Sequence, residues 1–239
     1  MNLISPSIAD HVVMVIMGII LPVFAITQAQ PEMEEEEFDT QGKVDLYYSN
    51  GLTMWVLTLI ISFVWFFSGR PLYEIGFEFP QFNGSLWVIL TIGFMAIYGL
   101  DAWNEVRTEE KREATKEHFK ENVPFLPTSN LELQHFAILS LTAGFCEEVI
   151  FRGYFIQYFL SFTGTSPLGL FIAIALPGVI FALSHLYQGW KAVAKIMVLA
   201  IVFGYIFMET QSIWIVVILH FLVDFIGGYM AMRLMDEND

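Results

Sequence analysis

The stretch FAILSLTAGFCEEVIFRGYFIQYFLSF, residues 136–162, decides how the chain is read. Two adjacent glutamates, Glu147 and Glu148, and one arginine, Arg152, interrupt a run that is otherwise almost wholly apolar. A helix over 130–162 would be about 50 Å long, more than the roughly 30 Å of a bilayer core. It therefore has to tilt, kink near Gly144 or Gly153, or begin as an interfacial helix.

The rest of the chain is built of similar material. Of 239 residues 56% are hydrophobic, with 23 Phe and 6 Trp, and only 15% are charged. Soluble domains carry about 25% charged residues. Segments long and apolar enough to cross a bilayer lie at 11–28, 52–69, 85–103, 130–162, 166–186, 191–209 and 211–234. The expected fold is all-α, a polytopic membrane bundle of seven transmembrane helices, or eight if the fourth segment divides. The first segment lacks the positive flank of a signal peptide, because the first 42 residues hold no Lys or Arg. It is read as a membrane helix. Two parts form one integrated domain. Residues 1–125 hold the amino-terminal spans, an acidic loop (29–51) and a polar helix (104–122). Residues 126–239 form the membrane core with the charged motifs.

A single cysteine, Cys146, excludes an internal disulfide framework and reads as a small core hydrophobe. The net charge of -14 sits largely in PEMEEEEFD (31–39) and the tail DEND (236–239). Such runs read as solvated segments, and they exclude nucleic acid as a partner. With seven crossings, Lys43, Arg107, Lys111, Arg112, Lys116, Lys120, Lys191, Lys195 and Arg233 share one side and Arg70 takes the other. Cytoplasmic loops accumulate Lys and Arg, so the first side is expected to be cytoplasmic, with the carboxyl terminus inside. The stretch NEVRTEEKREATKEHFKEN (104–122) repeats Glu every four residues beside a row of Arg and Lys. It reads as a solvated helix continuing the third span, stopped by Pro124 and Pro127. SNLE (129–132) then offers a capping box for the fourth.

Ionisable groups inside a bilayer are costly and face the bundle interior. Beside Glu147, Glu148 and Arg152 there are His185 in FALSHLYQGW (181–190), and His220 and Asp224 in ILHFLVDFIGG (218–228). Glu148 and Arg152 are four apart and share a helix face, as do His220 and Asp224. Glu147 points about 100° away from Glu148 and lacks that partner. Each group alone has a bland reading: a structural ion pair, a core histidine, a hydrogen bond between helices. Together, three spans each supply an acid or base. That set suits a metal site with an open position, hydrolysis by glutamate-activated water, or the proton relay of a coupled transporter. HExxH and GxSxG are both absent. Pro177-Gly178 offers one helix break of the kind transporters use in pairs.

Over residues 130–230 the chain resembles the CAAX prenyl protease and bacteriocin-processing family of intramembrane endopeptidases. The resemblance rests on Glu147-Glu148-Val-Ile-Phe-Arg152, Phe181-Ala-Leu-Ser-His185 and His220-Phe-Leu-Val-Asp224. It implies an endopeptidase acting on a membrane-embedded or membrane-anchored peptide in a prokaryotic cell membrane. Glu147 would activate water, His185 would hold the same water, and His220 with Asp224 would face the scissile carbonyl and its oxyanion. Glu148 and Arg152 would position the motif. The last position is typically Asn in prenyl proteases, so Asp224 is a departure that weakens the specific expectation of CAAX cleavage. No cofactor is expected, zinc or another divalent metal being the alternative. An inactive scaffold or immunity protein of the same family is a further alternative.

Overall fold

The structure, a computed structural model, describes residues 3–33, 39–82 and 84–235. The acidic run at 31–39 and the tail at 236–239 lie largely outside these residues. The described residues form helices α1 (Ile8–Val15), α2 (Leu21–Met33), α3 (Thr40–Phe67), α4 (Leu86–Val106) and α5 (Glu109–Asn122). These are followed by α6 (Asn130–Glu147), α7 (Ile156–Thr163), α8 (Pro167–Ser184), α9 (Trp190–Thr210) and α10 (Trp214–Met235). Six helical stretches are apolar and long enough to cross a membrane: Ile8–Thr27, α3, α4, α8, α9 and α10. The continuous helix 130–163, the fourth segment read from the sequence, carries the charged motifs and is not one of these six. The protein is an integral, multi-pass membrane protein.

Helix starts follow local chemistry. Ser7 caps α1 and Asp10 answers with its carboxylate, a complete capping box. Asp39 caps α3 and accepts from Gly42 N at 2.7 Å. That cap starts the second span at Thr40 rather than 52, so the expected acidic loop at 29–51 is much shorter. Ser129 caps α6, but the reciprocal half of the expected capping box is missing. The Glu132 carboxylate instead accepts from Lys43 Nζ at 3.0 Å and from Thr128 N at 2.8 Å.

Three further expectations change. The polar stretch 104–122 does not continue the third span: Thr108 leaves the helix with extended dihedrals and caps α5 as a separate helix. Glu105 stays in α4 and pairs with Lys195 of α9 at 2.6 Å, leaving the expected row of charges. Pro177 does not break α8, which runs unbroken from Pro167 to Ser184. The fourth crossing stays helical through Gly144 and Gly153. It widens into an eight-residue π-helical stretch, Glu148–Phe155, directly after Glu147. Such stretches are rare and often mark functional sites.

Helix α6 packs along α3 on one side and α10 on the other, and α8 packs against α9. At one end of the bundle lie the starts of α3, α6 and α9, the ends of α4, α8 and α10, and α5. Arg70 is at the opposite end, where its guanidinium grips Asp10 of α1 at 2.8 and 2.7 Å. Tyr154 of the π-helical stretch donates to the same carboxylate at 2.7 Å.

Gly144 sets the approach of α6 to α10. A Cβ there would stand 3.2 Å from Val217 O and 3.1 Å from Phe221 N, which leaves no room for a larger side chain. Small residues let membrane helices close on one another in this way. Gly144→Val should therefore push α10 from α6 and destabilise the fold by about 1–3 kcal/mol, the usual cost of overpacking. Thermal unfolding in detergent should show a lowered midpoint; an unchanged midpoint would contradict this packing.

Candidate active site

The tight crossing at Gly144 brings the first motif of α6 against the middle of α10. Glu148 and Arg152 lie beneath the surface of the internal chamber, with side chains 0% and 3% exposed. Arg152 Nη1 donates to Glu148 Oε1 at 2.9 Å, one helical turn away. The guanidinium is sandwiched between aromatic rings, 5.0 Å from the Phe181 centroid and 5.5 Å from that of Phe203. A desolvated cation over an aromatic face gains about 2 kcal/mol.

The same oxygen of Glu148 takes a second bond, from His220 Nδ1 at 2.7 Å. A carboxylate accepts only, so Nδ1 carries the proton and Nε2 is turned the other way. Nε2 lies 3.5 Å from Glu147 Oε2 and 3.6 Å from Asp224 Oδ2. Both separations exceed a direct hydrogen bond of ordinary length. Nε2 and the two carboxylates therefore keep their bonding capacity for a guest. Glu147 and Asp224 are 15% and 31% exposed, in contrast to sealed Glu148.

His185 ends α8 as its cap residue. Its Nδ1 donates to Phe181 O at 2.8 Å, which leaves Nε2 as an acceptor. Glu147, His185, His220 and Asp224 all line one chamber of about 350 Å³. Its remaining surface is mainly apolar and comes from Met54, Tyr98, Phe136, Leu139, Ile196 and Leu199, with Phe119, Phe125, Leu126 and Tyr187 toward the end that holds α5. All six residues singled out from the sequence thus meet, four at the chamber and two beneath it. Among the described residues no three His, Cys, Asp or Glu side chains converge on a point that a metal ion would fill.

Sequence reasoning missed three participants. The first is Glu148's bond to His220, which joins residues 72 apart in the chain. The second is Tyr98, which lines the chamber and donates to Val223 O at 2.9 Å. The third is Tyr187, whose ring centroid lies 6.0 Å from that of His185. A signal for the last was present in the sequence, since Tyr187 stands two residues after His185.

Fold and site define a class: a membrane-embedded chamber holding a carboxylate and histidine cluster. Residues 129–226 match the family described as type II CAAX prenyl endopeptidase, Rce1-like. It is a protease family, and the one that the three motifs resemble. No curated protein and no solved structure matches the chain.

The two glutamates should respond differently to one chemical change. Glu148→Gln takes the charge from a carboxylate that serves Arg152 and His220 in a sealed setting. Breaking a buried pair on one side costs about 3–5 kcal/mol. Glu147→Gln alters a group that faces open space, so its unfolding midpoint should stay near that of the unaltered protein. Thermal unfolding of the two variants in detergent would show this, and equal midpoints would contradict the assignment.

Proposed function

We propose that the chain is an intramembrane endopeptidase in which Glu147 activates the attacking water. One observation carries this reading. Of two adjacent glutamates, one is sealed and bonded to both Arg152 and His220, while the other faces a chamber shared with His185, His220 and Asp224. A water between the Glu147 carboxylate and His185 Nε2 has an acceptor on each side. Glu147 takes its proton as the water oxygen attacks the peptide carbonyl carbon. The oxyanion that forms is faced by His220, which donates from Nε2 when that nitrogen is protonated. Asp224 donates in its protonated form and otherwise orients the imidazole. Glu147 then returns the proton to the departing amine, and the C–N bond breaks. Electrostatic stabilisation of this kind is strongest where water is excluded.

The chamber wall also describes the substrate. Met54, Phe136, Leu139 and Leu199 favour apolar side chains around the scissile bond. A membrane-embedded or membrane-anchored peptide meets that requirement, whether or not it ends in a CAAX sequence. Arg112 and Lys116, and Lys111 and Lys191, line surface recesses at the end of the bundle that holds α5, so that end faces the cytoplasm. A prokaryotic cell membrane suits this arrangement. The proton-coupled transporter reading loses its one helix break, because α8 is unbroken across Pro177.

Purified protein incubated with a library of membrane peptides should yield defined cleavage products. Glu147→Gln should reduce the rate by about 10²–10⁴-fold, the range attributed to a positioned general base. Cleavage that persists unchanged in Glu147→Gln would remove the mechanism. No cleavage by the unaltered protein would favour the scaffold reading. Activity should also survive treatment with a strong zinc chelator. Loss on chelation and recovery with stoichiometric zinc would establish a metallopeptidase instead.

A further inference from the structure

Lys43, Tyr47, Asn50 and Met54 are spaced four, three and four residues apart, so they share one face of α3. Asn50 and Met54 line the chamber. Lys43 and Tyr47, nearer the helix start, are buried, with 4% and 2% exposure, yet they are spent on the backbone of a loop. Lys43 Nζ donates to Leu126 O at 3.0 Å and to Thr128 Oγ1 at 3.2 Å, and it pairs with Glu132 Oε2 at 3.0 Å. The Tyr47 hydroxyl donates to Phe125 O.

The loop is VPFLPT, 123–128. Two prolines remove two of its N–H donors, and a single backbone bond, Leu126 N to Val123 O at 3.0 Å, closes it internally. Its shape therefore depends on ties from outside. Phe125 and Leu126 carry those ties on their carbonyls and line the chamber. The Phe125 ring centroid is 6.1 Å from that of Tyr187, which lies beside His185. The Lys43–Glu132 pair joins α3 to α6, and the same ammonium also reaches the loop. Here the lysine and the tyrosine together hold consecutive carbonyls of a segment that roofs the site.

We propose that Lys43 and Tyr47 are positioning residues that hold 123–128 as the roof of the chamber and so limit the size of the side chain accepted beside the scissile bond. The size limit rests on the peptidase reading, but the roof itself does not. Neither residue lies in the matched segment 129–226, so the determinant belongs to the amino-terminal part of this chain.

The test uses the full chain, purified in detergent, with Cys146→Ala and Ser140→Cys. Position 140 lines the chamber and is 1% exposed. Tyr47→Phe removes only the hydroxyl, and Lys43→Met with Glu132→Gln removes both charges together while keeping the shapes. Either change should raise the rate at which a maleimide labels position 140 by about fivefold, the shift expected on losing one ordinary hydrogen bond. A cysteine at Ser68, at the opposite end, should label as before. For two peptides differing only in Ala or Trp beside the cut, the ratio of kcat/KM should move toward Trp, through KM.

Unchanged labelling at 140 in Tyr47→Phe overturns the proposal, as does an equal rise at 68, which marks general loosening. If the double variant does not fold, Tyr47→Phe decides alone. Raised labelling with an unchanged peptide ratio overturns the size limit. Raised labelling in a protein that cleaves neither peptide supports the roof and removes the peptidase reading.

Discussion

Oε1 of Glu148 accepts two hydrogen bonds at once, from Arg152 Nη1 at 2.9 Å and from His220 Nδ1 at 2.7 Å. This single oxygen joins the fourth crossing to the seventh in a setting sealed from solvent. The remaining geometry of the site follows from it. Arg152 neutralises the carboxylate, and Phe181 and Phe203 cover the guanidinium. His220 is locked by its Nδ1, so Nε2 has one direction left, toward Glu147, Asp224 and the chamber. Second partners that fix a histidine's orientation are common where its other nitrogen is used. The π-helical stretch belongs to the same device: it begins at Glu148 and ends just past Arg152 and Tyr154, and Tyr154 is tied to Asp10 at the far end of the bundle.

Charges in the spans thus serve three separate purposes, and burial alone does not tell them apart. Asp10 with Arg70 and Tyr154 closes the amino-terminal helix onto the bundle. Lys43 with Glu132 holds a loop. Glu148 with Arg152 orients a histidine. In each, two opposite charges meet at hydrogen-bonding distance, as expected where an unpaired charge is very costly. Glu147 and Asp224 differ: neither has a direct partner at ordinary hydrogen-bond length, and both face a cavity.

The legible part of the sequence was the part written locally. Apolar length located the six apolar spans, and spacing of four along a helix gave the Glu148 and Arg152 pair. It also placed His220 and Asp224 on one face. Contacts distant in sequence carried no such signature. Nothing near Glu148 announces His220, and nothing near Lys43 announces Glu132, 89 residues away. From sequence Lys43 reads as a charge of a loop because hydropathy drops before 52, whereas Asp39 caps a helix at Thr40 and the polar face turns inward. The continuation of α4 into 104–122 failed for a similar reason. The periodicity of Glu and Lys is helical on both sides of Thr108, but one hydroxyl bonding Lys111 N is enough to start a new helix.

The chamber itself is assembled from both parts of the chain. Residues 129–226 bring Glu147, His185, His220 and Asp224, while Asn50, Met54, Tyr98, Phe119, Phe125 and Leu126 come from before that segment. The groups suited to chemistry therefore sit within the matched family segment, and a large share of the surface a guest would touch sits outside it. Differences in such an apolar surface matter for any guest, because one methylene in an apolar pocket already changes binding by about 1–3 kcal/mol. A family match over 129–226 therefore covers the ionisable groups and part of the apolar wall, while α3, α4 and the segment 119–126 supply the rest of the chamber.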